Sequence, residues 1–103
     1  MQNVTMSLTD ESVVVAAKEQ VSCDLDGEAA VLNLATGIYY GLDKVGASIW
    51  QHLQQPISVN DICTALVTEY KVDVDTAKSD LLAFLTEMMN EGLVEVSPKD
   101  SGS

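Results

Sequence analysis

At 103 residues and 11.0 kDa the chain has room for one domain with a modest core, burying roughly 60–70% of the surface its unfolded form exposes. Sixteen acidic residues face five basic ones, all lysines, so the formal net charge is −11 and there is no arginine. That balance argues against a nucleic-acid partner, whose phosphates need cations and whose guanine edges arginine reads best, and against docking on anionic lipid.

In chain order, residues 1–11 (MQNVTMSLTDE) are polar and without periodicity, and residues 97–103 (SPKDSGS) have linker composition. Both are expected to be flexible, with the ordered domain at 12–96. Residues 12–17 (SVVVAA) and 20–25 (QVSCDL) read as one bent strand or two; in the second, Val21, Cys23 and Leu25 alternate with Gln20, Ser22 and Asp24, as a half-buried strand does. Asp26-Gly27 signals a turn. Residues 29–34 (AAVLNL) and 38–42 (IYYGL) then flank Ala35-Thr36-Gly37, a hairpin loop whose glycine accepts positive φ. The result is a small antiparallel sheet of three strands.

From Asp43 the period becomes helical. Asp43 caps a helix carrying Val45, Ile49, Trp50 and Leu53 that stops before Pro56. Ser58 caps a second, with Val59, Ile62, Cys63, Leu66, Val67 and Tyr70 at i, i+3, i+4, i+7 spacing. Asp73 or Asp75 starts a third that reaches Glu91, Gly92 supplies its left-handed end, and residues 93–96 read as a closing strand. The fold class expected is α+β and winged-helix-like, a small N-terminal antiparallel sheet followed by three helices.

Within the third helix, LLAFLTEMM (81–89) is apolar at seven of nine positions, more than one core-facing stripe requires. Either this helix is central to the core, or Phe84, Leu85 and Met88 line an apolar groove, where Met and Phe suit an adaptable peptide. A winged-helix-like domain raises the prospect of a DNA-binding regulator. The third helix opposes it, since Asp73, Asp75, Asp80, Glu87 and Glu91 face only Lys78.

No catalytic residue, metal site or cofactor is expected. His52 is the only histidine and has no nucleophile elbow beside it; Cys23 and Cys63 lie far apart and read as buried free thiols. No apolar run is long enough to cross a bilayer, and the first residues lack a secretion signal, so a soluble, cytoplasmic protein is expected, with no membrane partner.

The strand at 38–42 has one partner in sequence and neither charge nor proline, so it reads as an open sheet edge. An extended peptide could add a strand there, and edge pairing could equally join two copies as a homodimer. Ile38, Tyr40 and Leu42 point to one side and Tyr39 and Gly41 to the other, with Ile38 and Leu42 assigned to packing.

The runs VLNLATGIYYGLDKVGASIW (31–50), SVNDICTALVTEYKVD (58–73) and AKSDLLAFLTEMMNEGLV (77–94) resemble the PqqD family, whose domain is also called the RiPP recognition element. The likeness spans about residues 13–96; Asp43 stands where the family often has Asn, and either caps a helix. The resemblance implies a non-catalytic domain that holds the leader of a ribosomally made precursor peptide as an added strand, between the third strand and third helix, and delivers it to modifying enzymes. Mapped onto this sequence, the leader would meet Ile38, Tyr39, Tyr40, Gly41 and Leu42 on the strand, and Lys78, Leu81, Leu82, Leu85 and Met88 on the helix. A polar residue in place of Tyr40 or Leu85 would then weaken binding. A free-standing domain of this size resembles the leader-binding subunit of split lasso-peptide systems, which implies a leader peptidase and an ATP-dependent cyclase as partners. The alternative is a pyrroloquinoline quinone pathway member that presents its precursor to a radical SAM enzyme.

Overall fold

A computed structural model describes residues 8–97. Its elements, in chain order, are β1 (Val13–Ala16), β2 (Gln20–Leu25), β3 (Glu28–Asn33), β4 (Tyr39–Leu42), α1 (Lys44–His52), β5 (Ile57–Ser58), α2 (Val59–Tyr70), α3 (Val74–Asn90) and β6 (Val94–Ser97). They build a mixed α/β domain of three helices and two three-stranded antiparallel sheets, ordered β5-β1-β6 and β2-β3-β4.

The second sheet is the local one. Asp26 and Gly27 both take positive φ, 60° and 90°, the conformation of the tight hairpin turn that matches strand twist. β2 and β3 pair from Leu25 opposite Glu28 to Gln20 opposite Asn33, and Gly37 (φ 76°) helps to return the chain so that β4 pairs with β3. β1 does not continue into this sheet. It leaves to pair with β6, Val13 opposite Ser97 and Ala16 opposite Val94, and with β5 on its other side. The single small sheet expected from sequence is thus two sheets, because the closing pair joins residues about eighty positions apart, for which no local signal exists.

Capping follows the sequence. Asp43 accepts a hydrogen bond from the Gly46 N–H at 2.8 Å, Ser58 from Asp61 at 3.0 Å, and Asp73 from Thr76 at 3.1 Å, each satisfying an otherwise unpaired first-turn donor. α2 ends on Lys71 in the left-handed region, and Gly92 (φ 77°) ends α3. One core results, with Val31, Ile49, Leu53, Ile62, Leu81, Leu85 and Leu93 fully enclosed. Ala77, Leu81, Leu85 and Met88 form the core stripe of α3.

Two expectations fail on β2. Val21 and Leu25 are 54% and 52% exposed, and Cys23 is exposed while Cys63 is buried. The helices cover the sheet face of Ala29, Val31 and Leu42, whereas among the described residues nothing covers the opposite face, on which the rows Val21–Leu32–Tyr39 and Cys23–Ala30–Gly41 stand. Of the lead expected over 1–11, residues 1–7 lie outside the described residues, as do 98–103 of the tail. Residues 8–11 return onto the domain: Leu8 packs against the core, the Asp10 carbonyl accepts from the Asn60 N–H, and the Asp10 carboxylate meets Lys78 at 2.8 Å.

Candidate peptide-binding site

β4 is an edge of its sheet, and its register fixes which main-chain groups are free. The Asn33 N–H donates to the Ile38 carbonyl at 2.9 Å, making 33 and 38 a bonded pair. Antiparallel ladders alternate, so Val31·Tyr40 and Ala29·Leu42 are also bonded pairs, and Tyr40 and Leu42 spend their main-chain groups on β3. Tyr39 and Gly41 therefore direct N–H and C=O outward, away from β3.

Beside that edge runs a groove of about 590 Å³ between β4 and α3, floored by the start of α1. Leu42, Val45, Gly46, Ile49, Phe84 and Met88 supply its apolar lining. Gly46 is a requirement of this geometry: a Cβ there would stand 3.2 Å from Phe84 Cε1 and 3.4 Å from Leu42 Cβ, so the absent side chain lets the Phe84 ring lie against α1. Phe84 in turn forms one wall of the groove.

One end of the groove is held by polar contacts from the hairpin to the end of α3. Buried Asn33 donates through Nδ2 to the Glu91 carbonyl at 2.8 Å, while its Oδ1 accepts from the N–H groups of Ala35 (2.8 Å) and Thr36 (3.2 Å). The Tyr40 hydroxyl donates to Glu91 Oε1 at 2.5 Å, and that bond, then partial desolvation, then the carboxylate's charge, raise the phenol's pKa above its ordinary 10.0.

The charge along the groove is of one sign. Asp43, Asp80 and Glu87 line it, Glu91 stands at its end, and no lysine lines it. Asp43 is engaged as the α1 cap and Glu91 by Tyr40; Asp80 and Glu87 have no hydrogen-bond or ion-pair partner among the described residues.

The residues expected to meet a guest are only partly brought together. Tyr39, Tyr40, Gly41, Leu42 and Met88 line the groove. Ile38, 50% exposed, lies just before β4 and is not among the lining residues, although packing was assigned to it. Leu81 and Leu85 are 0% exposed and belong to the core, so a polar residue at 85 would act through stability. Lys78 and Leu82 lie roughly 120–160° around α3 from Phe84, counting 100° per residue. Lys78 is instead paired with Asp10, and the hydrogen bond and charge of that carboxylate raise the lysine's pKa. Asp43, Val45, Gly46, Ile49, Asp80 and Glu87 were not anticipated as lining residues. Asp80, Phe84, Glu87 and Met88 do fall within one 100° arc of a 3.6-residue helix, a pattern visible in sequence, but only the position of β4 tells that this arc faces a groove.

His52 and the thiols stand apart from the site. His52 lies 3.8 Å from Glu69 on the opposite flank of α1, near Ser48, which donates to Glu69 at 2.7 Å. No cluster of three or more His, Cys, Asp or Glu able to hold a metal occurs among the described residues.

The model of the family described as coenzyme PQQ synthesis protein D (PqqD) matches residues 28–94, more than half of the chain and all of the hairpin, groove and helices. The chain belongs to the PqqD family. Among solved structures it is similar to TbiB1 in complex with the TbiA(beta) leader peptide, at 36% identity and a TM-score of 0.76, covering 82% of this chain and 99% of that one. It is also similar to a lasso peptide synthetase B1 complexed with the leader peptide, at 26% identity and a TM-score of 0.71, covering 80% and 96%. A third likeness, to the PqqD truncation of Methylobacterium extorquens PqqCD, a stand-alone RiPP recognition element, is one of fold: 14% identity, a TM-score of 0.71, and 85% and 94% coverage. No curated protein matches the chain. No helix among the described residues is long and apolar enough to cross a membrane.

Proposed function

We propose that this PqqD-family domain is a non-catalytic adaptor that binds the leader segment of a ribosomally synthesised precursor peptide and delivers it to a leader peptidase and a cyclase of a lasso-peptide system. The leader adds to β4 as a further antiparallel or parallel strand, bonded to Tyr39 and Gly41, with alternate side chains entering the groove against α3. The observation that carries this reading is the unpaired β4 edge directly beside an apolar groove. An edge without charge or proline is an aggregation hazard unless it is covered or used, and here a shaped slot lies next to it. The two relatives of 36% and 26% identity are both structures with a leader peptide, which supports the same reading, and the second, a lasso peptide synthetase B1, favours the lasso system.

A second reading, presentation of a precursor in pyrroloquinoline quinone synthesis, draws on the description of the matching family. A DNA-binding role is disfavoured, because α3 carries five acidic positions, counting its two flanking caps, against one lysine.

The deciding measurement is fluorescence anisotropy with a labelled leader taken from any short precursor reading frame found beside this gene. Saturable binding in the micromolar range or tighter, about −8 kcal/mol or better, is expected. Absence of saturation at tens of micromolar would refute the adaptor. The neighbouring enzymes then separate the pathways, since a peptidase with a cyclase denotes one and a radical SAM enzyme the other.

A further inference from the structure

Resting on the adaptor reading, we infer that the groove selects a leader whose inward side chains read basic, apolar, basic at positions i, i+2 and i+4, with Asp80 and Glu87 of α3 as the residues that choose the two cations. Four residues of α3 present themselves to the groove in order: Asp80, Phe84, Glu87 and Met88. The two carboxylates are seven residues apart, about 10.5 Å along the helix axis, with the Phe84 ring between them.

A strand laid alongside repeats its inward side chains every two residues, about 6.7 Å, so positions i and i+4 are about 13 Å apart and i+2 falls midway. The middle side chain meets Phe84 and Leu42; the outer two come opposite Asp80 and Glu87. The few ångströms of mismatch are within the reach of flexible Lys or Arg side chains.

The energetic reason for selection is desolvation. Asp43 and Glu91 already accept hydrogen bonds from Gly46 and Tyr40, so a guest can cover them without leaving them unpaired. Asp80 and Glu87 have no partner among the described residues, and a neutral guest lying over them would displace water from two carboxylates and offer nothing in return. A cation at each place reverses that cost. The field of a groove lined by acids and no base acts in the same direction during encounter.

The test is selection of phage-displayed random 15-residue peptides at about 50 mM salt on the full chain, on the double variant Asp80→Lys/Glu87→Lys, and on Glu28→Lys/Glu95→Lys, which makes the same change of net charge at exposed positions outside the groove. The native chain is expected to enrich Lys or Arg at i and i+4 around an apolar residue. The groove variant should enrich Asp or Glu at those places and bind the native chain's best peptides about tenfold or more weakly, a loss of two charge pairs of about threefold each followed by repulsion. The distal variant should retain the native preference. If peptides are enriched that depend on the β4 edge, losing affinity with Gly41→Pro, but carry no paired cations, the charge-reading inference falls and the adaptor stands. An equal shift in the distal variant also overturns it, because net charge alone would then be acting. Enrichment of no peptide by the native chain would remove the adaptor reading and this inference with it.

Discussion

Replacing Gly41 by proline separates the edge of β4 from the fold that carries it. Four main-chain groups face outward, the N–H and C=O of Tyr39 and of Gly41, and at about 0.5–1.5 kcal/mol for each net hydrogen bond a guest strand draws about 2–6 kcal/mol from them. Proline deletes the Gly41 N–H and puts its Cδ where a guest carbonyl must come to about 2.9 Å, so the reciprocal pair at this residue is lost and the guest is held off its neighbour. The expected weakening is about 2–3 kcal/mol, about 30- to 150-fold in Kd. The fold should survive, because Gly41 faces Ala30 as a non-bonded pair and gives no ladder bond to β3. Its urea unfolding free energy should stay within about 1 kcal/mol of the parent, the scale of backbone effects at such a site. Gly41→Ala is the matched control: a Cβ there meets nothing within 4 Å and the N–H is kept, so binding should change by less than about threefold. Anisotropy with the labelled leader, alongside urea unfolding, reads both quantities. Binding of the proline variant within about threefold of the parent, with the fold intact, would refute main-chain pairing at this edge.

Other outcomes follow from the same contacts. Asn33→Ala removes one hydrogen bond that joins the hairpin to the end of α3 and two that hold the hairpin loop, and should cost about 1–3 kcal/mol in urea unfolding, with faster amide exchange at residues 35–37; a cost under about 0.5 kcal/mol would contradict its role as the anchor. Leu85→Ala should cost about 2–5 kcal/mol of stability, and the fraction that stays folded should bind the leader as the parent does, since the side chain is 0% exposed; selective loss of binding would return Leu85 to the site. Tyr40 and Lys78 both have folded pKa values above their ordinary ones, so each lends stability that is fully present below its unfolded value, near 10.0 and 10.5, and lost as pH rises through the higher folded value. Thermal unfolding should therefore drop in temperature above about pH 10, and Tyr40→Phe should flatten part of that drop; an unchanged pH profile would show that the Glu91 contact does not persist.

Much of the site could be read from the sequence because its parts are local. The Asp26-Gly27 and Gly37 turns, the caps at Asp43, Ser58 and Asp73 and the glycine after α3 are each set by one residue's backbone or hydrogen-bonding preference, and each is where the spacing places it. The helical face that meets the groove is a different kind of fact. On α3, Lys78 and Leu82 are as suitable by residue type as Asp80 and Phe84, and only the approach of β4 and the bare Cα of Gly46 assign the second pair to the groove. The exposed row Val21, Cys23, Leu25 shows the reverse limit: alternation reveals that a strand has two unlike faces, but not whether anything is packed on the apolar one.

By itself, then, the sequence determined the kind and order of most elements, the turn and cap residues, the acidic surface and the family to which the chain belongs, because these depend on neighbours a few positions away or on composition. The tertiary structure alone decided that β1 closes a second sheet with β6, that Leu81 and Leu85 are enclosed in the core while Phe84, and Met88 from the margin of the core, line the groove, and that Asp80 and Glu87 stand opposite an open strand edge. Those outcomes are set by contacts between distant segments. A side chain's role there depends on which partner occupies the space in front of it, and that is a property of the assembled core.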